Sequence, residues 1–152
     1  MSEIKQCIDA LSNITINTLS KTPVVYGIEN AVSSIRGTPA RVIFPMQVSN
    51  PEGQQMQRVS FSASGTVLIN WVIADMLLFD AVKRGTSLHN AMPELIDYTI
   101  NYIDAIRPQM SLTDNAMIES IDYEWNVYEF PEGSENTYYG CLMTLNIKEI
   151  IE

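Results

Sequence analysis

The longest apolar run in the chain covers residues 66–82, TVLINWVIADMLLFDAV, and only Asn70, Asp75 and Asp80 interrupt it after the opening threonine. Its first half is rich in β-branched and aromatic residues, which favours a strand over a helix. Alternate positions are mostly apolar on both faces: Val67, Ile69, Trp71 and Ile73 on one, Leu68, Asn70, Val72 and Ala74 on the other. We therefore expect this strand to be covered on both faces. One cover should be a helix of the same chain, and the other is either a second helix or a second subunit.

Two segments have helical periodicity. Apolar side chains recur every three or four positions over residues 2–21, and Pro23 ends that pattern. A second helix is predicted over residues 90–107, with Asn90 as its N-cap and Pro108 after its end. We expect the second helix to cover one face of the long strand, and the first helix is able to cover the other.

The remaining strands are predicted from alternation with period two. Residues 41–49 and 57–64 alternate on either side of a turn signal at 50–54, and they lead into the strand at 66–79 as a long antiparallel arm. Pro45 cannot donate to a ladder, which favours an edge position for the first of these strands. The clearest hairpin joins strands at about 117–130 and 137–149. The predicted fold is a single α+β domain, with a mainly antiparallel sheet of four or more strands, long hairpins and two packed α-helices.

Charge is spread unevenly along this chain of 152 residues. The net charge is −9, with a net +1 in residues 1–93 and a net −10 in residues 94–152. This excess of acidic over basic residues disfavours a surface that binds nucleic acid, because phosphate binding needs clustered Lys and Arg. The general explanation of an acidic face is solubility; a sharper one is a surface that must not bind DNA or that meets a basic partner. The apolar runs are too short for a membrane span, and the N-terminus lacks the features of a signal peptide.

No arrangement of residues indicates catalysis. Cys7 and Cys141 are far apart and outside any metal-binding motif, which predicts buried thiols in a reducing compartment. The lone His89 has no nucleophile beside it in sequence. Asp122 and Glu124 share a strand face and could hold Mg²⁺, but Asn126 stands where a metal nuclease would need a lysine. We predict no enzyme activity, no cofactor and no metal site.

The order of elements resembles the tail-terminator (tail-completion, neck) proteins of long-tailed bacteriophages. An N-terminal helix and a hairpin arm precede VLINWVIADMLLFDAV, which runs into the helix AMPELIDYTINYIDAI, and the chain closes on YYGCLMTLNIKEI. The similar residues are Trp71, Tyr138, Gly140, Leu145 and Ile147. The resemblance implies a mixed α/β subunit of a hexameric ring, without enzyme activity. This ring would cap the tail tube and connect it to the head, in a virion assembled in the host cytoplasm.

The implied partners are other copies of the chain, the tail tube protein and head–tail connector proteins, with DNA passing the lumen without specific binding. From charge alone, the candidate lumen or acidic surface consists of Asp122, Glu124, Glu129, Glu132 and Glu135. The candidate subunit interface consists of Met76, Leu77, Leu78 and Phe79, apolar residues placed where the strand is expected to leave the sheet. Two alternatives stay open. The chain could be a small acidic monomeric binding module, an assembly chaperone or inhibitor that masks a basic partner, or a metal-dependent enzyme that uses Asp122 and Glu124.

Overall fold

The computed structural model describes residues 2–16, 19, 21–27, 34–45 and 58–152. In chain order, the helices and strands are α1 (Ile4–Ser12), β1 (Val24–Tyr26), β2 (Ala40–Pro45), β3 (Arg58–Phe61), β4 (Val67–Ala81), α2 (Leu88–Ile106), β5 (Ala116–Glu129) and β6 (Thr137–Ile151), with one 3-10 turn at Arg107–Gln109. The predicted fold class is confirmed: the protein is a single α+β domain with a six-stranded, mostly antiparallel sheet and two helices.

The long apolar strand β4 forms the centre of the sheet. The strand order is β1-β2-β4-β6-β5, and β3 also pairs with β4. All pairings are antiparallel except the one between β1 and β2. The hairpin of β5 and β6 lies within two residues of its expected bounds, because uninterrupted alternation over two long arms defines a strand pair well.

The arm formed by the earlier strands differs from the expected arrangement. β2 pairs with residues 73–78 of β4 and β3 pairs with residues 67–70, so the two strands follow one another along the same side of β4. β3 reaches β4 through a tight turn at residues 62–65, where Gly65 adopts a φ of +87°. The expected turn at 50–54 and the expected strand residues 46–49 and 57 lie outside the described residues. Alternation identifies a strand but not its partner, which is why the pairing was not predictable.

The first helix is shorter than the predicted 2–21. It ends at Ser12, and residues 13–16 are not helical. The β-branched residues Ile14, Thr15 and Ile16 lose rotamer freedom in a helix, which favours this early end. The second helix begins at Leu88, two residues before the predicted start, because Ser87 rather than Asn90 is its N-cap. The side-chain oxygen of Asn90 accepts the N–H of Ser87 at 2.8 Å and completes a capping box.

Both helices cover the same face of the sheet, so the idea that the first helix covers the opposite face is wrong. One core cluster contains buried residues of all the elements on that face. It includes Cys7, Ile8 and Leu11 of α1, Leu95, Tyr98, Tyr102 and Ile106 of α2, Ile73 and Leu77 of β4, and Cys141, Met143, Leu145 and Ile147 of β6. We call this side of the sheet the helix face and the other side the open face.

The open face of β4 is covered, towards its C-terminal end, by side chains of the sheet and its loops. Val42, Met76 and Leu78 are buried there. The partly buried residues packed against them are Tyr26, Ile35, Phe44, Tyr128, Phe130, Tyr138 and Leu142. Both covers of the long strand therefore come from its own chain, and this part of β4 needs no second subunit to remove it from water.

Candidate interaction edges of the sheet

The proposed interface at residues 76–79 does not form an exposed patch. Met76, Leu77 and Leu78 are 7%, 0% and 0% exposed, and Phe79 is partly buried against the helix-face core. The physical reason is that β4 stays in the sheet until Ala81, paired with β6 on one side, instead of leaving the sheet at residue 76. These residues stabilise the subunit itself, and a contact surface between copies must be sought elsewhere.

A second surface is offered by β5, which lies at the end of the strand order. This strand is 14 residues long and, within the described residues, its ladder partner is β6. Residues 110–113 bond to the outer side of Ala116, Met117 and Ile118, so among the described residues the stretch of β5 without a neighbouring segment on that side begins after Ile118. A long unpaired edge of this kind is a template for pairing with a further strand.

The open face of β5 carries two of the predicted acidic residues. Asp122 and Glu124 are exposed, opposite Thr144 and Leu142 of β6. Asp122 accepts a hydrogen bond from the Asn146 amide at 3.4 Å. Glu124 accepts the hydroxyl of Tyr128 at 2.9 Å. Burial, reinforced by this bond to a carboxylate, raises the pKa of Tyr128 above its ordinary range.

The other three predicted acidic residues lie at the end of the same strand. Glu129 is the last residue of β5, and its carboxylate accepts the N–H of Glu135 at 2.9 Å across the hairpin loop. Glu132 is exposed in that loop. Asp122 and Glu124 therefore share the open face, whereas Glu129, paired with Thr137, follows the register of Tyr123 and Val127 on the helix face. A basic side chain on this part of the sheet, Lys148 of β6, lies 3.6 Å from Glu119.

The helix-face side of β5 is apolar and open to solvent. Tyr123 and Val127 are 52% and 41% exposed, although they alternate on the same face as the half-buried Trp125. Trp125 between them lies deeper and donates its indole N–H to the Thr99 hydroxyl of α2 at 3.0 Å. The helices do not reach beyond Trp125 at this edge, so its neighbours remain uncovered.

The apolar surface of β5 continues onto α2. Three isoleucines of α2 are exposed, namely Ile96, Ile100 and Ile103. They lie within four positions of Thr99, on the part of the helix surface that adjoins Thr99 and points away from the core. Because Thr99 meets β5, this side of the helix faces the outer margin of the sheet. We call the combination of β5 with these three isoleucines the β5 edge.

On the opposite side the strand order ends at β1, and next to the N-terminal part of β4 the margin is β3, a strand of four residues whose ladder partner among the described residues is β4. Register with β4 places Arg58 and Ser60 on the open face and Val59 and Phe61 on the helix face. Val59 and Phe61 are 51% and 79% exposed. We call this strand the β3 edge.

A buried ion pair joins four elements of the helix face. Arg41 of β2 and Asp75 of β4 are 1% and 0% exposed. The guanidinium donates to both carboxylate oxygens, at 3.2 Å from Nε and 2.5 Å from Nη2. It also donates to the carbonyls of Ile14, at 2.7 Å, and Leu11, at 3.3 Å, next to the C-terminus of α1. Tyr102 of α2 donates its hydroxyl to Asp75 at 2.8 Å.

The charge state of this pair follows from its surroundings. Burial works to lower the pKa of Arg41, but the adjacent Asp75 carboxylate outweighs it and the pKa is raised. Arg41 therefore keeps its charge and places it where the helix dipole of α1 is negative. Sequence reasoning missed this pair, because strand alternation put Arg41 on an edge strand and gave no partner for it. The signal that could have found it was the isolated aspartate inside the apolar run.

A second buried carboxylate holds the other end of α1. Glu149 of β6 is 1% exposed and accepts hydrogen bonds from the Ser2 hydroxyl at 2.9 Å, from the backbone N–H of Glu3 and from the Trp71 indole at 3.3 Å. A negative charge at a helix N-terminus is favourable. The short helix α1 is therefore held at its start by Glu149 and at its end by Arg41.

The groups that could have carried other chemistry are separated or inert. Burial raises the pKa of Cys7 and of Cys141 to about 11, so both thiols are protonated at neutral pH. His89 is exposed in the first turn of α2. No group of three or more potential metal-ligating side chains occurs in the described residues.

No helix in the described part of the chain is long and apolar enough to cross a membrane. Comparison with known protein families and with curated proteins finds no match to this chain.

Proposed function

We propose that the protein is a structural virion component of the tail-terminator or neck type, a subunit that self-assembles into a ring on the phage tail tube and joins it to the head. The observation that carries this proposal is the pair of different edges on opposite sides of one sheet. Association through two different surfaces is head-to-tail, and head-to-tail contacts close into rings when the rotation between copies allows it.

The packing within the subunit supports an assembly role. The long strand β4 is covered on the helix face by α1 and α2 and, towards its C-terminal end, on the open face by an aromatic-rich cluster. Exposed apolar side chains remain mainly at the sheet margins, including Phe61 on one side and Tyr123 on the other. Grouped exposed apolar residues mark interaction surfaces. The subunit would thus fold alone and use its margins to join copies, the tail tube protein and connector proteins.

The acidic residues of β5 and its loop fit the inside of such a ring. Within the proposal, Asp122, Glu124, Glu129, Glu132 and Glu135 face a lumen through which DNA slides, because negative charge repels phosphate and prevents binding. Seven of the nine basic residues lie in the other part of the chain, residues 1–93, which carries a net charge of +1.

The direct test is the mass and shape of the purified chain in solution. We expect light scattering to find a species of six times the 17.1 kDa chain mass, and negative-stain electron microscopy to find rings, alone or after co-expression with the tail tube protein. A monomer at every concentration, with and without the tube protein, would overturn the proposal.

The lumen is tested separately by charge reversal. The variant Glu132→Lys with Glu135→Lys leaves the Glu129 carboxylate in place and should form normal rings. Phage supplied with this variant should lose infectivity at the stage of DNA delivery. The control Glu94→Lys with Asp97→Lys makes the same charge change on an exposed part of α2. Undiminished DNA delivery by the loop variant would remove these residues from the lumen.

A monomeric acidic binding module remains the second candidate, and one observation favours it. Residues 94–152 carry a net charge of −10. One basic residue of this segment, Lys148 of β6, lies next to Glu119 of β5. A basic partner strand could pair there. The mass measurement distinguishes the two, since this function predicts a 17.1 kDa species that forms no ring.

A further inference from the structure

We infer that the β5 edge binds an extended segment of a different protein as an added strand, and that this segment alternates apolar side chains with Lys or Arg. This inference rests on the proposed use of the sheet margins as contact surfaces, and it names the chemistry of the partner at one of them. Three features of the edge support it: its free backbone, its apolar side chains on the helix face and its carboxylates on the open face.

The free backbone begins where the chain stops covering its own edge. On the outer side of β5 the Ile118 N–H donates to the Met110 carbonyl at 2.8 Å, and beyond Ile118 the described residues place no segment against that side. The Val127 N–H donates to the side-chain oxygen of Asn126 at 2.8 Å, a local contact that a partner strand can replace. Alternate residues of a strand point their N–H and C=O groups to one side, so a partner strand meets a row of groups to pair with.

The helix face of this edge is apolar beyond the last strand. Tyr123 and Val127 are exposed on β5, and Ile96, Ile100 and Ile103 of α2 face the outer margin of the sheet. An added strand lies about 4.8 Å from β5, beside this part of the helix, so every second side chain of it would contact both groups of residues. Apolar side chains at those positions would remove the exposed surface from water.

The open face of the edge favours the opposite kind of side chain. Asp122 and Glu124 are exposed on this face, and within the described part of the chain they form hydrogen bonds but no ion pair. Opposite charges on neighbouring strands stabilise a sheet, so Lys or Arg fits the positions of the added strand that share this face. Because successive side chains of a strand point to opposite faces, the two faces together specify alternating apolar and basic residues.

Charge also argues against a second copy of the chain at this edge. A second β5 would supply apolar side chains, but it would bring its own Asp122 and Glu124 to the same face of the sheet. Like charges on adjacent strands destabilise their pairing. Both strands would belong to the segment 94–152, whose net charge of −10 adds to the repulsion. The occupant that fits is therefore a segment of a different protein.

Peptide binding to the purified chain tests the site. The probe is a synthetic peptide of about ten residues, the length of a long strand, with alternating Val and Lys and with blocked termini. Because the peptide contains no tryptophan, the fluorescence of Trp125 beside the edge reports its binding. We expect saturable binding. A peptide with Glu in place of Lys should bind at least about tenfold more weakly, since two carboxylates of the edge then meet like charges.

Backbone methylation separates strand addition from a general attraction between opposite charges. One peptide carries methyl groups on the backbone nitrogens of all its Val residues, and a second carries them on those of all its Lys residues. Only alternate N–H groups of a strand face one neighbour, so one of these peptides should lose binding and the other should keep it. Equal affinities of the two methylated peptides would overturn the inference.

Charge variants of the chain locate the basic side of the site. Asp122→Lys with Glu124→Lys should weaken binding of the Val–Lys peptide at least about tenfold, because both carboxylates of the open face become positive. The control Glu94→Lys with Asp97→Lys makes the same charge change on an exposed part of α2 and should alter binding by less than about threefold. Similar losses for the two variants would show attraction by net charge alone and would overturn the inference.

Apolar variants locate the other side of the site. Tyr123→Thr with Val127→Thr removes the exposed apolar pair and keeps residues that favour a strand, so binding should again weaken at least about tenfold. Phe61→Thr with Val59→Thr makes the matching change in β3 and should leave binding unchanged. Circular dichroism verifies that every variant keeps its fold.

The remaining outcomes keep this inference apart from the proposed function. A chain that forms rings but shows no saturable binding at about 1 mM peptide overturns the inference alone. Wild-type dimers that Tyr123→Thr with Val127→Thr converts to monomers would show that a second copy occupies the edge, which also overturns it. A chain that binds the peptide as expected but stays monomeric, with and without the tube protein, overturns the proposed ring and supports the inference.

Discussion

Removing the charge of Asp75 is the sharpest test of what holds this fold together. The variant Asp75→Asn keeps the size of the side chain and an oxygen for the Tyr102 hydroxyl. It removes the negative charge and turns an amide N–H₂ towards the Arg41 guanidinium, which is buried with a 2.5 Å contact to the carboxylate. The arginine then stays charged in an apolar environment without a counter-ion.

The size of the effect follows from that burial. Breaking a buried ion pair by removing one partner costs about 3–5 kcal/mol, because the remaining charge is left uncompensated. A protein of ordinary stability has about 5–15 kcal/mol in total, so the variant loses a large part of it. With a urea m-value of about 2 kcal/mol per molar, a loss of about 4 kcal/mol lowers the unfolding midpoint by about 2 M.

The assay is urea unfolding followed by the fluorescence of Trp71 and Trp125, at one fixed chain concentration. The matched control is Asp80→Asn in the same strand, where the ion pair to Lys83 is 3.4 Å long and solvent-exposed. We expect the control to lose at most about 1 kcal/mol. Equal losses for the two variants, or a loss below about 1 kcal/mol for Asp75→Asn, would refute the reasoning that burial makes this pair essential.

Three further predictions concern other buried positions. Gly140→Ala should destabilise the protein by about 1–3 kcal/mol in urea unfolding, because the added Cβ would collide with a backbone carbonyl of β4. Glu149→Gln should cost about 2 kcal/mol in the same assay, since the start of α1 loses its negative charge. Cys7 and Cys141 should resist a thiol reagent at pH 8 until the protein unfolds. Because the pKa of each thiol is higher in the folded than in the unfolded protein, the free energy of unfolding should fall as pH rises from about 9 to about 11.

The two substitutions each have a matched control. Gly37→Ala adds a methyl group where no atom of the described residues lies within 4 Å and should be nearly neutral. Glu152→Gln removes a charge from an exposed position three residues after Glu149 and should also be nearly neutral. Indistinguishable losses for a buried variant and its control would contradict the packing described here, and fast thiol labelling of the folded protein at pH 8 would contradict the burial of the cysteines.

Much of the fold was predictable wherever a pattern was long and local. The β5–β6 hairpin follows from alternation alone, and β4 follows from an apolar run rich in β-branched residues. The covers of β4 were not predictable. Which side of a sheet a helix occupies depends on the path of the connections, and α1 and α2 proved to share one face. The stretch at residues 76–79 was an interface candidate only because its covers were unknown.

The candidate interaction edges, too, were predictable from the sequence only in part. That acidic residues concentrate after residue 93 is a property of the sequence, and their alternation with apolar residues on β5 follows from period two. Only the tertiary structure decided that β5 is an edge strand, that Tyr123 and Val127 lie beyond the reach of the helices, and that β1 and β3 lie on the opposite side of the sheet. The physical reason is that periodicity fixes the direction of a side chain relative to its own backbone. Burial and pairing depend on what other segments bring alongside, as Arg41 demonstrates by joining Asp75, Tyr102 and the end of α1 inside the core.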